Sequence, residues 1–216
     1  MQHPVVPRSD WLTARERLLV REKTLTRARD ALAEEQRSLP WMRIDKDYVF
    51  EGTDGPVSLG GLFQGRDQLF IKNFMLSPGQ QHQCVGCSLE VDHMAGLLEH
   101  LAGNGVSYAV VAPAPIAEIE IIRNRMNWKV NWVSSYGNDF TRDFVLDLAP
   151  PNVDGSGNNV FYKDEAGNIF HTYASYGRGG EDFLGIYRIL DLMPKGRNEN
   201  GPNHNLTDWV KLRTEY

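Results

Sequence analysis

Two residues in this chain stand out for their chemistry. Cys84 and Cys87 are its only cysteines, and they form a C-x-x-C. The thiolate is the reactive form of cysteine, and the free N–H groups and dipole at a helix N-terminus stabilise it. A helical pattern starts at these residues, so Cys84 is the candidate nucleophile. Cys87 falls one turn on and on the same face, where a disulfide closes with little backbone movement. It is the candidate resolving thiol. Cys84 would attack a substrate disulfide, and Cys87 would release the product from the mixed disulfide. His82 lies two residues before Cys84 and raises the thiolate fraction if protonated. Gln83 and Tyr136 are further candidates for tuning the thiol or binding substrate.

The same region offers a rival chemistry. His82, Cys84, Cys87 and His93 together supply four donors of zinc-binding type. His93 lies more than a turn and a half beyond Cys87, however, and no second C-x-x-C exists. A c-type haem needs a histidine where Ser88 stands. Redox chemistry without metal or other cofactor is therefore the leading expectation, with the four-donor metal site as the alternative. No Ser-His-Asp order, Walker A loop or dinucleotide fingerprint is present.

Composition narrows the class. The chain has 216 residues, 41% of them hydrophobic, with 28 acidic and 23 basic residues and a net charge of −5. That suits one generous domain or a domain with an appendage. The charges are interspersed, without the basic patch of a nucleic-acid binder. No apolar run approaches the ~18–20 residues that span a bilayer. Met1 to Arg8 holds no apolar signal core, so a cytoplasmic protein is expected. Two cysteines this close do not make a secreted disulfide scaffold.

The elements that must position the cysteines follow from periodicity. Residues 10–37 read as a charged helix with Trp11, Leu18, Leu25, Leu32 and Leu39 recurring at seven. Ser9 or Asp10 can cap it, and Thr13 with Glu16 fits a capping box. Its narrow apolar stripe is expected to lie on the body of the protein or on a second subunit, giving a homodimer. Tyr48–Glu51 and Pro56–Leu59 flank a Gly-Thr-Asp-Gly turn and predict a hairpin. The nearly continuous apolar run Leu69–Leu76 predicts a central strand. One helix is expected from Cys84 to about Ala102 and a strand over Val106–Ala112. A helix opened by Pro115 follows, then a strand over Trp128–Trp132. Ala149–Asn159 reads as a loop. Val160–Lys163 and Asn168–Ala174 predict a second hairpin, Glu181–Leu192 a last helix, and Leu206–Thr214 a short one. The order predicts an α/β fold with a partly parallel sheet and helices on both faces. Cys84 then lies past the C-terminal end of a central strand, the edge where open α/β sheets react.

Several segments together carry a resemblance. They are Gln83-Cys84-Val85-Gly86-Cys87-Ser88, Trp132-Val133-Ser134-Ser135-Tyr136-Gly137, Val160-Phe161-Tyr162-Lys163-Asp164-Glu165, Phe170-His171-Thr172-Tyr173 and Pro194-Lys195-Gly196-Arg197-Asn198. The chain resembles, over nearly its whole length, the thioredoxin-like family catalogued as domain of unknown function 899. The resemblance implies a thioredoxin-like fold, a central mixed sheet flanked by helices, with an N-terminal helical extension over 1–45. The thioredoxin-like domain would span 46–194 and a C-terminal tail with a short helix 195–216. Within that superfamily the layout is most similar to the peroxiredoxin and thiol-disulfide oxidoreductase branch. The peroxidase motif places Thr or Ser three residues before the reactive cysteine and Pro seven before it. Here Gln81 holds the first place, and Pro78 is six back. The superfamily commonly has a cis-proline just before the final hairpin, where this chain has Asn158 and Asn159. The implied partners are a protein or small-molecule disulfide, or a peroxide, and a thiol reductant. Neither nucleic acid nor membrane is expected.

Overall fold

The computed structural model describes residues 3–150 and 155–216. They fall into two compact units that divide after Pro40. The first holds helix α1 (Arg8–Arg37), which has no buried residue. Trp11, Leu18, Leu25 and Leu32 are all about half exposed. The helix starts earlier than the capping signals suggest. Pro7, at φ −59°, stands at its N-cap without a side-chain bond. The Ser9 hydroxyl instead donates to Asp10, and Thr13 donates back to the Ser9 carbonyl.

The second unit is built on one sheet. Its strands are β1 (Met42–Arg43), β2 (Val49–Gly52), β3 (Gly55–Ser58), β4 (Gln68–Asn73), β5 (Val106–Ala112), β6 (Asn131–Ser134), β7 (Gly157–Lys163) and β8 (Ile169–Tyr176). They lie in the order β1-β8-β7-β4-β5-β6-β2-β3. The helices are α2 (Val85–Met94), α3 (Leu98–Gly103), α4 (Ile116–Arg125) and α5 (Gly185–Leu192). Strands β4, β5 and β6 are parallel, and β7 runs antiparallel to both β4 and β8. The path β4-α2-β5 followed by β7-β8-α5, with spatial order β8-β7-β4-β5, is the thioredoxin-like arrangement. Met42 and Arg43, which fall within the expected extension over 1–45, pair with β8.

The alternation of β4 explains its central place. Phe70 and Phe74 face a core shared with Cys87, Val91, Ile119, Trp128 and Trp132, over which α2 and α4 pack. Leu69 and Ile71 face a second core with Phe50, Phe63, Phe140, Phe144 and Phe161. That second face is covered by the 3-10 turn Gly61–Phe63 and the π-helical turn Arg142–Leu146, not by α-helices as expected.

Other boundaries differ for local reasons. The helix expected to run from Cys84 to Ala102 is two, α2 and α3, interrupted at Ala95-Gly96-Leu97. Glycine there lacks the helix propensity to bridge the gap. Trp128 and Val130 share the inward face of Trp132, yet pairing with β5 starts only at Asn131. The Glu181–Leu192 helix is a 3-10 turn, Gly177–Phe183, followed by α5. The helix expected over Leu206–Thr214 is reduced to two 3-10 turns, Leu206–Asp208 and Arg213–Glu215. Strand β7 starts at Gly157, inside the expected loop, and residues 151–154 of that loop lie outside the described residues. The two hairpin turns form as predicted, with Gly55 at φ +116° and Gly167 at φ +86°.

Candidate active site

The backbone leaves β4 at the centre of the sheet, with the Phe74 N–H still bonded to Val111 of β5. A turn at Ser77–Gln80, with Gly79 at φ +71°, carries it back to the sheet edge. Helix α2 then starts, and Cys84 is its N-cap. The Cys84 sulfur accepts the Cys87 backbone N–H at 3.2 Å. This is the bond a capping oxygen usually makes, here given to a sulfur. It satisfies an otherwise free helix donor and stabilises negative charge on Cys84.

Two further bonds fix this corner. Gln83 is buried, donates to the Ser88 hydroxyl at 2.7 Å, and accepts from the Arg125 guanidinium at the end of α4. Ser88 in turn donates to the Cys84 carbonyl at 2.7 Å. Through Ser88, Gln83 is thereby tied to the backbone of Cys84. His82 is exposed, and its carbonyl accepts from Gln80 at 2.6 Å. Tyr136 lies past the end of β6 with its side chain 59% exposed. Among the described residues no hydrogen bond joins either ring to a sulfur.

The two thiols are unequal. Cys84 is half-buried, whereas Cys87 is 2% exposed. Behind Cys87 lies a buried ion pair. Lys72 Nζ is 2.7 Å from Glu90 Oε2, with side chains 2% and 5% exposed. Ser156 joins the pair to the thiol: its hydroxyl accepts from Lys72 at 2.9 Å and lies 3.5 Å from Cys87 Sγ. Burial opposes the charge on Lys72, but the Cys87 and Glu90 charges outweigh it and hold Lys72 above the ordinary lysine value. The Cys87 thiol is drawn down to about 6, first by a hydrogen bond from Cys84 and, against burial, by the Lys72 charge. Cys84 is pushed up by that same bond and by burial. The pair thus gives up one proton easily and holds the second. The single negative charge is shared between two sulfurs, between the Lys72 ammonium and the N-terminus of α2.

The sequence reasoning missed Lys72, Glu90 and Ser156. A signal existed for the first: Lys72 is the one charged residue within the apolar run Leu69–Leu76. A lysine on the buried face of a central strand must be paired or neutral. Glu90 follows Cys87 by three, so it shares that helix face. Nothing local marks Ser156.

The four-donor metal alternative is not assembled. His93 Nδ1 contacts the Leu89 carbonyl at 2.7 Å, and its Nε2 contacts the Ile186 N–H at 3.2 Å. Both ring nitrogens are thereby used in tying α2 to the start of α5. Among the described residues, no group of three or more His, Cys, Asp or Glu is placed to hold a metal ion. Nor is any helix of these residues long and apolar enough to cross a membrane.

The chain is similar to several solved structures at low identity. One is a thioredoxin-family thiol:disulfide interchange protein from Chlorobium tepidum TLS. It is 15% identical, with 70% of this chain and 97% of that one covered and a TM-score of 0.47. A second is a thiol:disulfide interchange protein from Bacteroides sp., at 13% identity, 76% and 98% coverage and a TM-score of 0.46. A third is the peroxidoxin BcpB of Mycobacterium tuberculosis, at 13% identity, 67% and 94% coverage and a TM-score of 0.44. No curated protein matches the sequence. Residues 1–216 match the family described as bacterial protein of unknown function, DUF899, and the chain belongs to that family.

Proposed function

We propose that this protein is a thiol-disulfide oxidoreductase in which Cys84 attacks and Cys87 resolves. The observation that carries the reading is the Cys87 N–H held on the Cys84 sulfur at the start of α2, with the Lys72 ammonium behind the pair.

The steps follow from the unequal burial. In the resting pair the buried sulfur carries the charge and Cys84 donates a hydrogen bond to it. Transfer of that proton to Cys87 leaves the thiolate on Cys84, the accessible sulfur, where the helix N–H stabilises it. The Cys84 thiolate attacks one sulfur of a substrate disulfide. That disulfide breaks, and one half leaves as a thiolate. Cys87 then attacks Cys84 Sγ beside Lys72, and its proton passes to the sulfur of the departing second half. The internal disulfide forms, the second half of the substrate leaves, and two electrons have passed to the substrate. A thiol reductant returns the pair to the dithiol. Glu90 is a positioning residue that keeps Lys72 charged and in place. A peroxide substrate lacks comparable support: Gln81 is exposed, and its amide turns back to the Gly79 carbonyl at 3.4 Å.

The test is direct. Reduced protein mixed with a disulfide should acquire the Cys84–Cys87 disulfide, and Cys84→Ser should abolish turnover with dithiothreitol. Unchanged turnover in Cys84→Ser rules the mechanism out.

A further inference from the structure

The C-terminal tail is built into the site. Gly86, between the two cysteines, lies against Leu206: a Cβ at position 86 would stand 3.2 and 3.4 Å from the two Leu206 methyl carbons. The tail is tied down on both sides of this contact. Arg197 pairs with Asp191 and Glu181 and lies over the Tyr187 ring, 4.1 Å from its centroid. The Asp208 carboxylate accepts the N–H groups of Gly201 and Asn203, both at 3.0 Å. Asn205 caps the short turn by accepting from Thr207 at 2.9 Å. Farther on, Leu212 is buried in the same core cluster as Cys87. The tail is thus a fixed wall beside the C-x-x-C.

That wall bears on what can reach Cys84. A thiolate attacks a disulfide along the S–S axis, and the mixed disulfide lays the target against the ground around the attacking sulfur. Each half-cystine of a folded protein brings chain on both sides, and the two halves are held with Cα atoms ~4.4–6.8 Å apart. Such a target needs clearance beside Gly86, where Leu206 stands. A low-mass disulfide with one or two methylenes beside each sulfur does not.

We infer that the tail selects small-molecule disulfides over those of folded proteins, with Leu206 as the specificity-determining residue. This rests on the oxidoreductase reading above. The experiment mixes the reduced full-length chain with excess hydroxyethyl disulfide or native insulin and follows loss of free thiols by alkylation and mass spectrometry. Wild type should react with hydroxyethyl disulfide at least about tenfold faster per disulfide than with insulin, a contrast within reach of one apolar contact. Leu206→Ala should speed the insulin reaction by about tenfold while leaving the small disulfide within about twofold, and Leu206→Met should behave as wild type. Equal wild-type rates with both substrates, or an equal change in both with Leu206→Ala, overturns the selectivity while leaving the redox chemistry intact. Reaction with neither overturns the oxidoreductase reading, and the inference with it.

Discussion

Lys72 and Glu90 form an ion pair 2.7 Å long, and Ser156 links the Lys72 ammonium to the Cys87 thiol. A charge on the buried face of a central strand is costly unless matched, and here it is matched by a carboxylate one helix turn beyond the buried thiol. The result is a positive group held permanently behind a sulfur that must ionise.

Replacing the lysine should separate its two effects. Lys72→Met leaves the Glu90 carboxylate buried and unpaired, which should destabilise the fold by about 3–5 kcal/mol. Lys72→Met/Glu90→Leu should regain most of that stability in a thermal or denaturant melt. Both variants should lose the low first ionisation of the thiol pair. Their reaction with a disulfide should be slower at pH 7 and approach wild type at alkaline pH. A double variant with unchanged thiol ionisation would falsify the role given to Lys72.

The two serine variants should differ in kind. Cys87→Ser keeps the accessible sulfur and should accumulate a mixed disulfide with hydroxyethyl disulfide, visible as one adduct on the intact mass. Cys84→Ser retains only a thiol that is 2% exposed and should form little adduct. A faster adduct at Cys87 than at Cys84 would reverse the order of attack.

Much of this arrangement is legible in the residue order. The nearly continuous apolar stretch around Ile71 marks a strand covered on both faces. Gly55 and Gly167 mark the turns where φ is positive. Cys84 at the start of a helical pattern marks the site. Long-range pairings are the part that stays hidden. Lys72 finds Glu90 18 residues away and Ser156 84 residues away. Leu206 reaches Gly86 only because the tail is anchored to α5 and the core. The break at Gly96 and the two-residue β1 are short features in which tertiary contacts decide over local propensity. Another is the register shift of β7 against β8, where Val160 pairs with Tyr173 but Phe161 pairs with His171.

His171 should govern acid stability. It is packed between Phe144 and Phe161, and its Nε2 contacts Asn159 Oδ1 at 2.7 Å. Burial lowers its pKa to about 4. The unfolded chain therefore binds a proton between about pH 6.5 and 4 that the folded one does not. This contribution to stability is present above pH 6.5 and is lost as the pH falls through that window, by about 2–3 kcal/mol in all. Denaturant melts of His171→Gln should show a flatter dependence between pH 7 and 4 than wild type. An identical slope would remove His171 from the account.

Gly157 should tolerate no side chain. A Cβ there would lie 2.5 and 2.7 Å from Tyr176 ring carbons, and the Tyr176 hydroxyl is held on the Phe144 carbonyl at 2.7 Å. The ring cannot move aside without losing that bond. Gly157→Ala should cost about 1–3 kcal/mol in a melt. It should also disturb Ser156, so the pH dependence of thiol reactivity should shift with it.

The most direct test of the central claim is a titration of the reduced pair, following thiolate absorbance in the ultraviolet across pH 4 to 11. Two separate steps are expected, the first proton leaving near pH 6 and the second well above the ordinary thiol value. Loss of both protons together near ~8.5, the value of a free cysteine, would contradict it.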